Sequence, residues 1–349
     1  MALGLGLGGG AALAATPEQV ALAAPALRLA VLSDGGLSDG GLSRGGLSAQ
    51  ARPVARALLQ RLGYGAAAPG LMQYRWGVAP VLTYDPNING GYADSTVLLG
   101  GLNFALSPAL VGRSGLMGGL RADTEATFGL SGRVALDLAA RGRMVRALSE
   151  DSVKSEANAR LCLRRMGRAL TEVRGCIDRT IARTQLSASA QTGVELGLSH
   201  PFVASQALAE AGVFLRHQRV SSGGRFGQWQ AGGALTRIGP AGVRLDLGAA
   251  LGAPVADHAV MRQRVTLGVL ARVLGDWTRL SLGVEQRRGG VFLGTPRQEI
   301  ATSLSLQRSF AWRGRADRRL DMTVTATQVA AGQALLNRQG ISVDVGMRF

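Results

Sequence analysis

The body of this sequence lacks any run of about 18 apolar residues that could cross a membrane as a helix. Yet 46% of its 349 residues are hydrophobic and the mean hydropathy is +0.14. In a β-barrel, apolar residues alternate with polar ones, so a hydropathy window never registers the membrane. The shortage of long apolar runs therefore excludes a helical membrane protein and is compatible with a transmembrane β-barrel.

Lysine and aromatic residues are also scarce. Lys154 is the sole lysine, aromatic residues make up 5%, and the net charge of +16 comes almost entirely from arginine. The arginines are spread along the chain without the interleaved aromatics that stack on bases, so we expect no nucleic-acid partner. Two explanations remain open: arginines at strand ends that meet lipopolysaccharide phosphates, or the composition of a GC-rich genome.

Catalytic and metal-binding motifs are absent. The three histidines, His200, His217 and His258, are far apart, and no GxSxG, HExxH or P-loop occurs. Ser221 and Ser222 follow His217, but a chance pairing in a loop explains them better than a hydrolase site. We therefore predict no enzymatic activity, no cofactor and no metal.

Cysteine occurs only at Cys162 and Cys176, with thirteen residues between them. In an oxidising compartment such a pair usually closes a loop, and a loop of about 15 residues gains roughly 3 kcal/mol in the chain-entropy model. We predict a disulfide; two free thiols are the alternative.

The first 70 residues differ from the remainder. Residues 1–15 are apolar and small, as in the second half of a secretory signal peptide, although a basic start is missing. Residues 16–70 predict a short periplasmic leader with helices at Thr16–Ala30 and Ala51–Leu62. Three GGLS repeats between the helices predict a flexible linker.

From about Leu71 the hydrophobic period changes to two, which predicts a barrel over 71–349. In the last strand Ile341, Val343, Val345 and Met347 alternate with polar residues and end at Phe349, which we interpret as the barrel's C-terminal signal. Thirteen strands are predicted: 72–84, 95–106, 115–128, 133–145, 183–198, 204–217, 226–237, 241–253, 259–273, 276–287, 296–310, 317–329 and 340–349.

Bacterial single-chain barrels have an even number of strands. We therefore assign a fourteenth strand to Ser152–Leu161, with twelve or sixteen as alternatives. This arrangement puts Asp85–Asp94 and the Cys162–Cys176 segment on the extracellular side. A soluble β-sandwich could bury the same apolar faces, but the strand length of ten or more, the leader and Phe349 favour the barrel.

The polar face of these strands carries both signs of charge and is assigned to the lumen. A solvated, salt-bridged lumen is the plain interpretation, and a charged conduit that favours anions is the functional one. The candidate lumen charges are Arg75, Arg133, Asp137, Arg141, Arg244, Asp246, Arg264 and Arg272.

The segment Tyr74–Leu106 is the most distinctive. Tyr74, Trp76 and Tyr84 suit an interfacial girdle, and a Pro-Asn-Ile-Asn-Gly-Gly turn leads into a glycine-rich strand. The segment resembles the start of the barrel in surface lipoprotein assembly modifier proteins. That resemblance implies a barrel of about fourteen strands in the outer membrane of a Gram-negative bacterium. It also implies that the barrel moves lipoproteins to the cell surface.

Two functions therefore remain open from the sequence. One is transport or surface-lipoprotein translocation, and the other is a passive, anion-favouring, porin-like channel or a structural barrel. The partners expected are outer-membrane lipid and lipopolysaccharide, the barrel-assembly machinery and, if the resemblance holds, lipoprotein clients.

Overall fold

The computed structural model describes residues 62–64, 68–85, 87–92, 94–99, 102–167, 171–204, 207–222, 224–239, 243–312, 315–332 and 336–348. The predicted signal segment, the two leader helices and Phe349 lie outside the described residues, apart from Leu62 at the end of the second helix. Within the described residues, no helix is long and apolar enough to cross a membrane.

The chain forms an all-β, closed antiparallel barrel of fourteen strands, as predicted. Consecutive strands pair along the chain, and β1 closes the barrel by pairing with both β4 and β16. The barrel strands are β1 (Gly70–Asp85), β4 (Gly115–Ser131), β5 (Val134–Ala147), β6 (Val153–Met166), β7 (Glu172–Arg183), β8 (Ala188–Ala204), β9 (Ala207–Ser221), β10 (Arg225–Ile238), β11 (Arg244–Gly252), β12 (Val260–Val273), β13 (Asp276–Phe292), β14 (Thr295–Trp312), β15 (Arg315–Ala331) and β16 (Arg338–Arg348).

The alternation in sequence becomes the two faces of the barrel wall. On β1 the side chains of Tyr74, Trp76, Val78 and Leu82 point outward, and Trp76 is 70% exposed. Such exposure of large apolar side chains, repeated on most strands, would be unfavourable in water and is expected against lipid. Because the pleat has a period of two, the intervening polar residues face the lumen.

The strand count was right, but two assignments behind it were wrong. The predicted strand at 95–106 is a separate hairpin of β2 (Thr96–Leu99) and β3 (Leu102–Ala105) that does not join the barrel. The region 146–183 supplies two strands, β6 and β7, rather than the single strand Ser152–Leu161. Because the first error adds a barrel strand and the second omits one, the predicted count of fourteen is still correct.

The two ends of the barrel differ in their connections. The end at which β1 begins and β16 ends, here the terminal end, has connections of two to five residues. The opposite, far end has connections of two to seven residues and one long connection, 86–114. Short turns are typical of the periplasmic side of such barrels.

The β6–β7 connection lies at the terminal end, so the extracellular placement of the Cys162–Cys176 segment was wrong. The error follows directly from the miscounted strand, because one extra strand before the cysteines reverses the side on which they lie. The Asp85–Asp94 segment does lie at the far end, as predicted.

Candidate functional site

Among the charged residues whose side chains the structure describes, the lumen carries both signs in nearly equal number. In the strand register, the cationic side chains that share the inward face are Arg75, Arg121, Arg141, Arg143, Lys154, Arg160, Arg164, Arg174, Arg216, Arg244, Arg264, Arg272, Arg279, Arg287 and Arg297. The acidic ones are Asp85, Asp123, Glu125, Asp137, Glu156, Glu172, Asp178, Glu195, Glu210, Asp246, Glu285, Glu299, Asp321 and Asp344.

The candidate lumen charges are spread around the wall rather than gathered at one point. Arg75 pairs with Glu125, and Arg244 donates to Asp246 at 2.8 Å.

The guanidinium of Arg272 lies 5.1 Å from the centre of the Trp277 ring. Arg141 lines a small cavity of about 240 Å³ beside Arg121 and Asp344. Arg133 is not on a strand but in the turn between β4 and β5.

At the terminal end, the chain that precedes β1 enters the lumen. The carbonyl of Leu62 accepts a hydrogen bond from Arg164 at 2.9 Å, and the Tyr64 ring lies 5.2 Å from the Arg164 guanidinium carbon. The Tyr64 hydroxyl donates to Glu172, and only 2% of Tyr64 is exposed.

Gly63 makes this entry possible. Its φ is +86°, and a Cβ there would lie 2.6 Å from the Cβ of Ala135 on the inner wall. A side chain at this position would therefore be strained and would collide with β5. The segment 62–64 narrows the terminal mouth.

Arg164 holds this segment because it is itself fixed by the wall. It donates to Asp137 at 2.8 Å and lies 3.4 Å from Glu172, and its side chain is 14% exposed. Asp137, a predicted lumen residue, therefore acts as a partner that orients Arg164 rather than as a group facing the open lumen.

The predicted disulfide joins Cys162 on β6 to Cys176 on β7, which are direct cross-strand partners. Both residues share the inward face with Arg164 and Glu172. The disulfide therefore links β6 and β7, the two strands that carry Arg164 and Glu172, the residues that contact Tyr64.

At the far end, the segment Asn87–Tyr92 folds over the mouth. Ile88 is fully buried against inward-facing Val81, Met117 and Val145. A Cβ on Gly90 would lie 2.7 Å from the hydroxyl of Thr184, at the β7–β8 turn.

The same segment also reaches the opposite wall. The Tyr92 ring centre lies 6.3 Å from that of Phe292, at the far end of β13. The Asn87–Tyr92 segment therefore spans part of the far mouth between two distant strands.

Asn89 fixes the shape of this segment. Its side-chain amide donates to the carbonyl of Val111 at 2.8 Å, and its oxygen accepts from the amides of Arg113 and Gly91 at 3.0 and 3.3 Å. Lys154 on β6 donates to Asp85 at 2.7 Å and to the carbonyl of Asn87 at 2.6 Å. The Asn87–Gly91 part of the sequence motif thus covers part of the far mouth.

Toward the far end lies a cavity of about 850 Å³, lined by β8–β14 and the β11–β12 connection. Its charged groups are mostly arginines bound to shared carboxylates. Glu285 accepts from Arg287 at 2.6 Å and also from Arg264, one of the predicted lumen residues.

A second shared carboxylate, Glu195, is within 3.2 Å of Arg160 and Arg174 and 3.6 Å of Arg216. Each carboxylate therefore has more than one cation, although Arg216 also donates to both oxygens of Asp178 at 2.8 Å. The positive excess around Glu285 and Glu195 is therefore modest.

The role of four residues at the two mouths was not predicted from the sequence: Tyr64, Arg164, Ile88 and Asn89. Tyr64 lies before the alternating region, so no periodicity marks it. Arg164 falls on β6 beyond the strand predicted there. A buried Ile flanked by two Asn residues in a turn was a usable signal, since such Asn side chains commonly satisfy backbone groups in compact loops.

The remaining candidate groups for catalysis are scattered. His217 contacts Trp229 on the outer face, His200 contacts Thr171, and His258 lies in the β11–β12 connection. In the part of the chain that the structure describes, no group of three His, Cys, Asp or Glu side chains could hold a metal ion.

Comparisons with known proteins give similarity in structure only. No protein-family model and no curated protein matches the chain. The OccK2 (OpdF) structure from Pseudomonas aeruginosa matches 80% of this chain and 98% of its own, with 9% identity and a TM-score of 0.42.

A BenF-like porin from Pseudomonas fluorescens Pf-5 matches 79% of this chain and 98% of its own, with 7% identity and a TM-score of 0.42. The comparisons give no support to the resemblance to surface lipoprotein assembly modifier proteins. A closed fourteen-strand barrel with an apolar exterior is an outer-membrane β-barrel, in agreement with the predicted outer-membrane location.

Proposed function

We propose that this barrel is a narrow, passive channel for small hydrophilic solutes, with a weak preference for anions. The observation that carries the proposal is the charged cavity of about 850 Å³ in the far half of a closed fourteen-strand wall. A barrel of this size is wider than the eight-strand barrels that side chains fill. Apolar side chains line its exterior, so the polar cavity is the route that a solute would take.

The narrowing at both mouths supports a small-solute channel rather than one for folded proteins. Tyr64 and Arg164 occupy the terminal mouth, and Asn87–Tyr92 covers part of the far mouth. Passage of a lipoprotein would require both to move aside. Surface-lipoprotein translocation therefore has no specific observation in its favour.

The weak anion preference rests on the arginines that share Glu285 and Glu195. Their carboxylates are outnumbered locally, so an anion in the cavity meets donors that are not fully neutralised. Because the other lumen charges that the structure describes nearly balance, the preference is expected to be small.

The test is reconstitution of the purified full chain in planar bilayers. We expect discrete conductance steps without any added partner, and a reversal potential in a KCl gradient with the sign of anion preference. A protein that migrates as a folded, heat-modifiable barrel but shows no conductance would refute the channel.

A further inference from the structure

The outward face of β7–β10 changes character in rows toward the far end. Residues in one row are direct cross-strand partners, so they lie side by side. With glycines left out, the rows from the terminal end read Val173, Leu198 and Val213; then Leu196, Leu215 and Ala231; then Ile177, Val194, His217 and Trp229; then Arg179, Thr192 and Arg219; then Ile181, Ala190, Ser221 and Arg225; and last Arg183 and Ala188.

The lower rows suit lipid acyl chains and the interface above them. Leu196 is 60% exposed and Val213 60%, which would be unfavourable in water. In the next row the Trp229 ring lies 4.8 Å from the His217 ring. An aromatic pair above an apolar band is the usual composition of the girdle at the edge of the hydrocarbon.

The arginines begin one row beyond this girdle. Arg179, Arg183, Arg219 and Arg225 are all exposed, and among the described residues none of them has a carboxylate within salt-bridge distance. The outward positions of β7–β10 carry no acidic residue. The patch therefore has no acidic side chain beside it on the outer face of these strands.

The spacing allows convergence on one group. Only Thr192 separates Arg179 from Arg219 in their row, so their backbones are about 10 Å apart, two strand spacings. Arg225 is a diagonal neighbour of Arg219, at about 7–8 Å. Arginine side chains over these distances can bind the oxygens of one phosphate, with bidentate geometry that lysine lacks.

Among the side chains that the structure describes, the terminal end has no such patch. Arg165 and Arg237 face outward there on strands that are four apart, and Arg308 is paired with Asp276 at 3.3 Å. In this described part of the wall, the unpaired outward arginines are therefore concentrated at the far end. A patch at one end of the barrel matches an anionic ligand found in one leaflet.

We propose that Arg179, Arg219 and Arg225, with Arg183 above them, bind a phosphate of the lipid A moiety of lipopolysaccharide, whose acyl chains lie on the apolar rows below. This assignment includes the placement of the far end at the cell surface, because the terminal end has the short turns that are typical of the periplasmic side. Thr192 supplies a hydroxyl between the two guanidinium groups of its row.

The experiment compares two double variants that remove equal charge. Arg179→Gln with Arg219→Gln disrupts the patch, and Arg165→Gln with Arg237→Gln removes outward charge at the terminal end. Each full-length protein, in nanodiscs of neutral lipid, is titrated with lipid A, with dephosphorylated lipid A and with phosphatidylglycerol. Folding is checked by heat-modifiable migration.

We expect wild type and the terminal-end control to bind lipid A alike, and the patch variant to bind at least tenfold more weakly. Dephosphorylated lipid A should show the same loss on wild type. Patch and control variants with equal affinity would overturn the site, as would equal affinity of wild type for phosphatidylglycerol and lipid A. If the patch variant does not fold, Arg179→Lys with Arg219→Lys keeps the charge, and an unchanged affinity would refute bidentate recognition.

Conductance measurements distinguish a failure of the proposed lipid A site from a failure of the proposed channel. The patch residues face lipid, so the patch variant should keep the wild-type reversal potential while losing lipid A. A protein that binds lipid A in this pattern but conducts no ions would leave the site standing and refute the channel.

Discussion

We predict that the charge selectivity of the lumen reverses when the two arginines that bind one carboxylate are replaced. Glu285 is 11% exposed and binds both Arg264 and Arg287, so this trio carries a formal charge of +1. The double variant Arg264→Gln, Arg287→Gln leaves Glu285 without a cation and changes the local charge by two units, to −1. We expect the channel to change from weakly anion-preferring to cation-preferring.

The magnitude follows from Coulomb's law in a water-filled cavity. A permeating ion about 6 Å from one unit charge gains or loses about 0.7 kcal/mol at the dielectric constant of water. Two units give about 1.4 kcal/mol, which screening in 0.1 M salt, with a Debye length of about 10 Å, reduces to roughly 0.8 kcal/mol. The local chloride concentration should therefore fall about fourfold, and potassium should rise about as much.

The assay is the reversal potential across a KCl gradient centred on 0.1 M, repeated near 1 M. The change should nearly vanish at 1 M, where the Debye length is about 3 Å. Arg288→Gln is the matched control, because Arg288 neighbours Arg287 on β13 but faces outward. The reasoning fails if the folded double variant keeps the wild-type sign at 0.1 M, or if Arg288→Gln shifts it equally.

Three further predictions concern the mouths and the disulfide. Tyr64→Ala removes the ring over Arg164 and should raise single-channel conductance without changing folding; an unchanged conductance would show that the segment does not narrow the path. Asn89→Ala removes hydrogen bonds worth about 2 kcal/mol together, so fluctuations that uncover the far mouth should rise about 30-fold in population. This rise should be visible as added current noise, which Thr184→Ala should not reproduce to the same extent because the Asn89 hydrogen bonds remain. Cys162→Ala with Cys176→Ala should lower stability by about 3 kcal/mol in the chain-entropy model; an unfolding midpoint in urea equal to that of wild type would contradict this.

The barrel itself could be predicted because alternation is a local property that each strand carries. Strands β10–β16 begin and end within a few residues of the predicted bounds except for β13, whose outer end extends to Phe292. The segment 95–106 was misassigned because it also alternates, and alternation does not distinguish a barrel strand from a two-stranded hairpin above the mouth. The Arg-rich stretch 172–183 was missed because arginines on both faces obscure the period.

The candidate site was less accessible from the sequence for a different reason. Residues that narrow the mouths act through contacts across the lumen, such as Tyr64 with Arg164 and Tyr92 with Phe292. These pairs are separated by 100 and 200 positions, so no spacing rule connects them. The lumen charges, by contrast, could be predicted from the alternation along each strand alone. Arg75, Arg244 and Arg264 do face inward.

The net charge of the chain leads to a different conclusion about ion selectivity once each charged residue is assigned to the inner or the outer face of the barrel. A chain with a net charge of +16 suggests a strongly anion-selective lumen. The register divides that charge by face. Among the described side chains, the inward cations are nearly matched by carboxylates, while Arg179, Arg183, Arg219 and Arg225 point outward at one end without acidic neighbours. Charge on the outer wall is separated from the conduit by the sheet and, at the lipid boundary, contributes to lipid binding more than to ion selection. Selectivity should therefore respond to Glu285 and its two arginines, and lipid A binding to Arg179 and Arg219, each without the other.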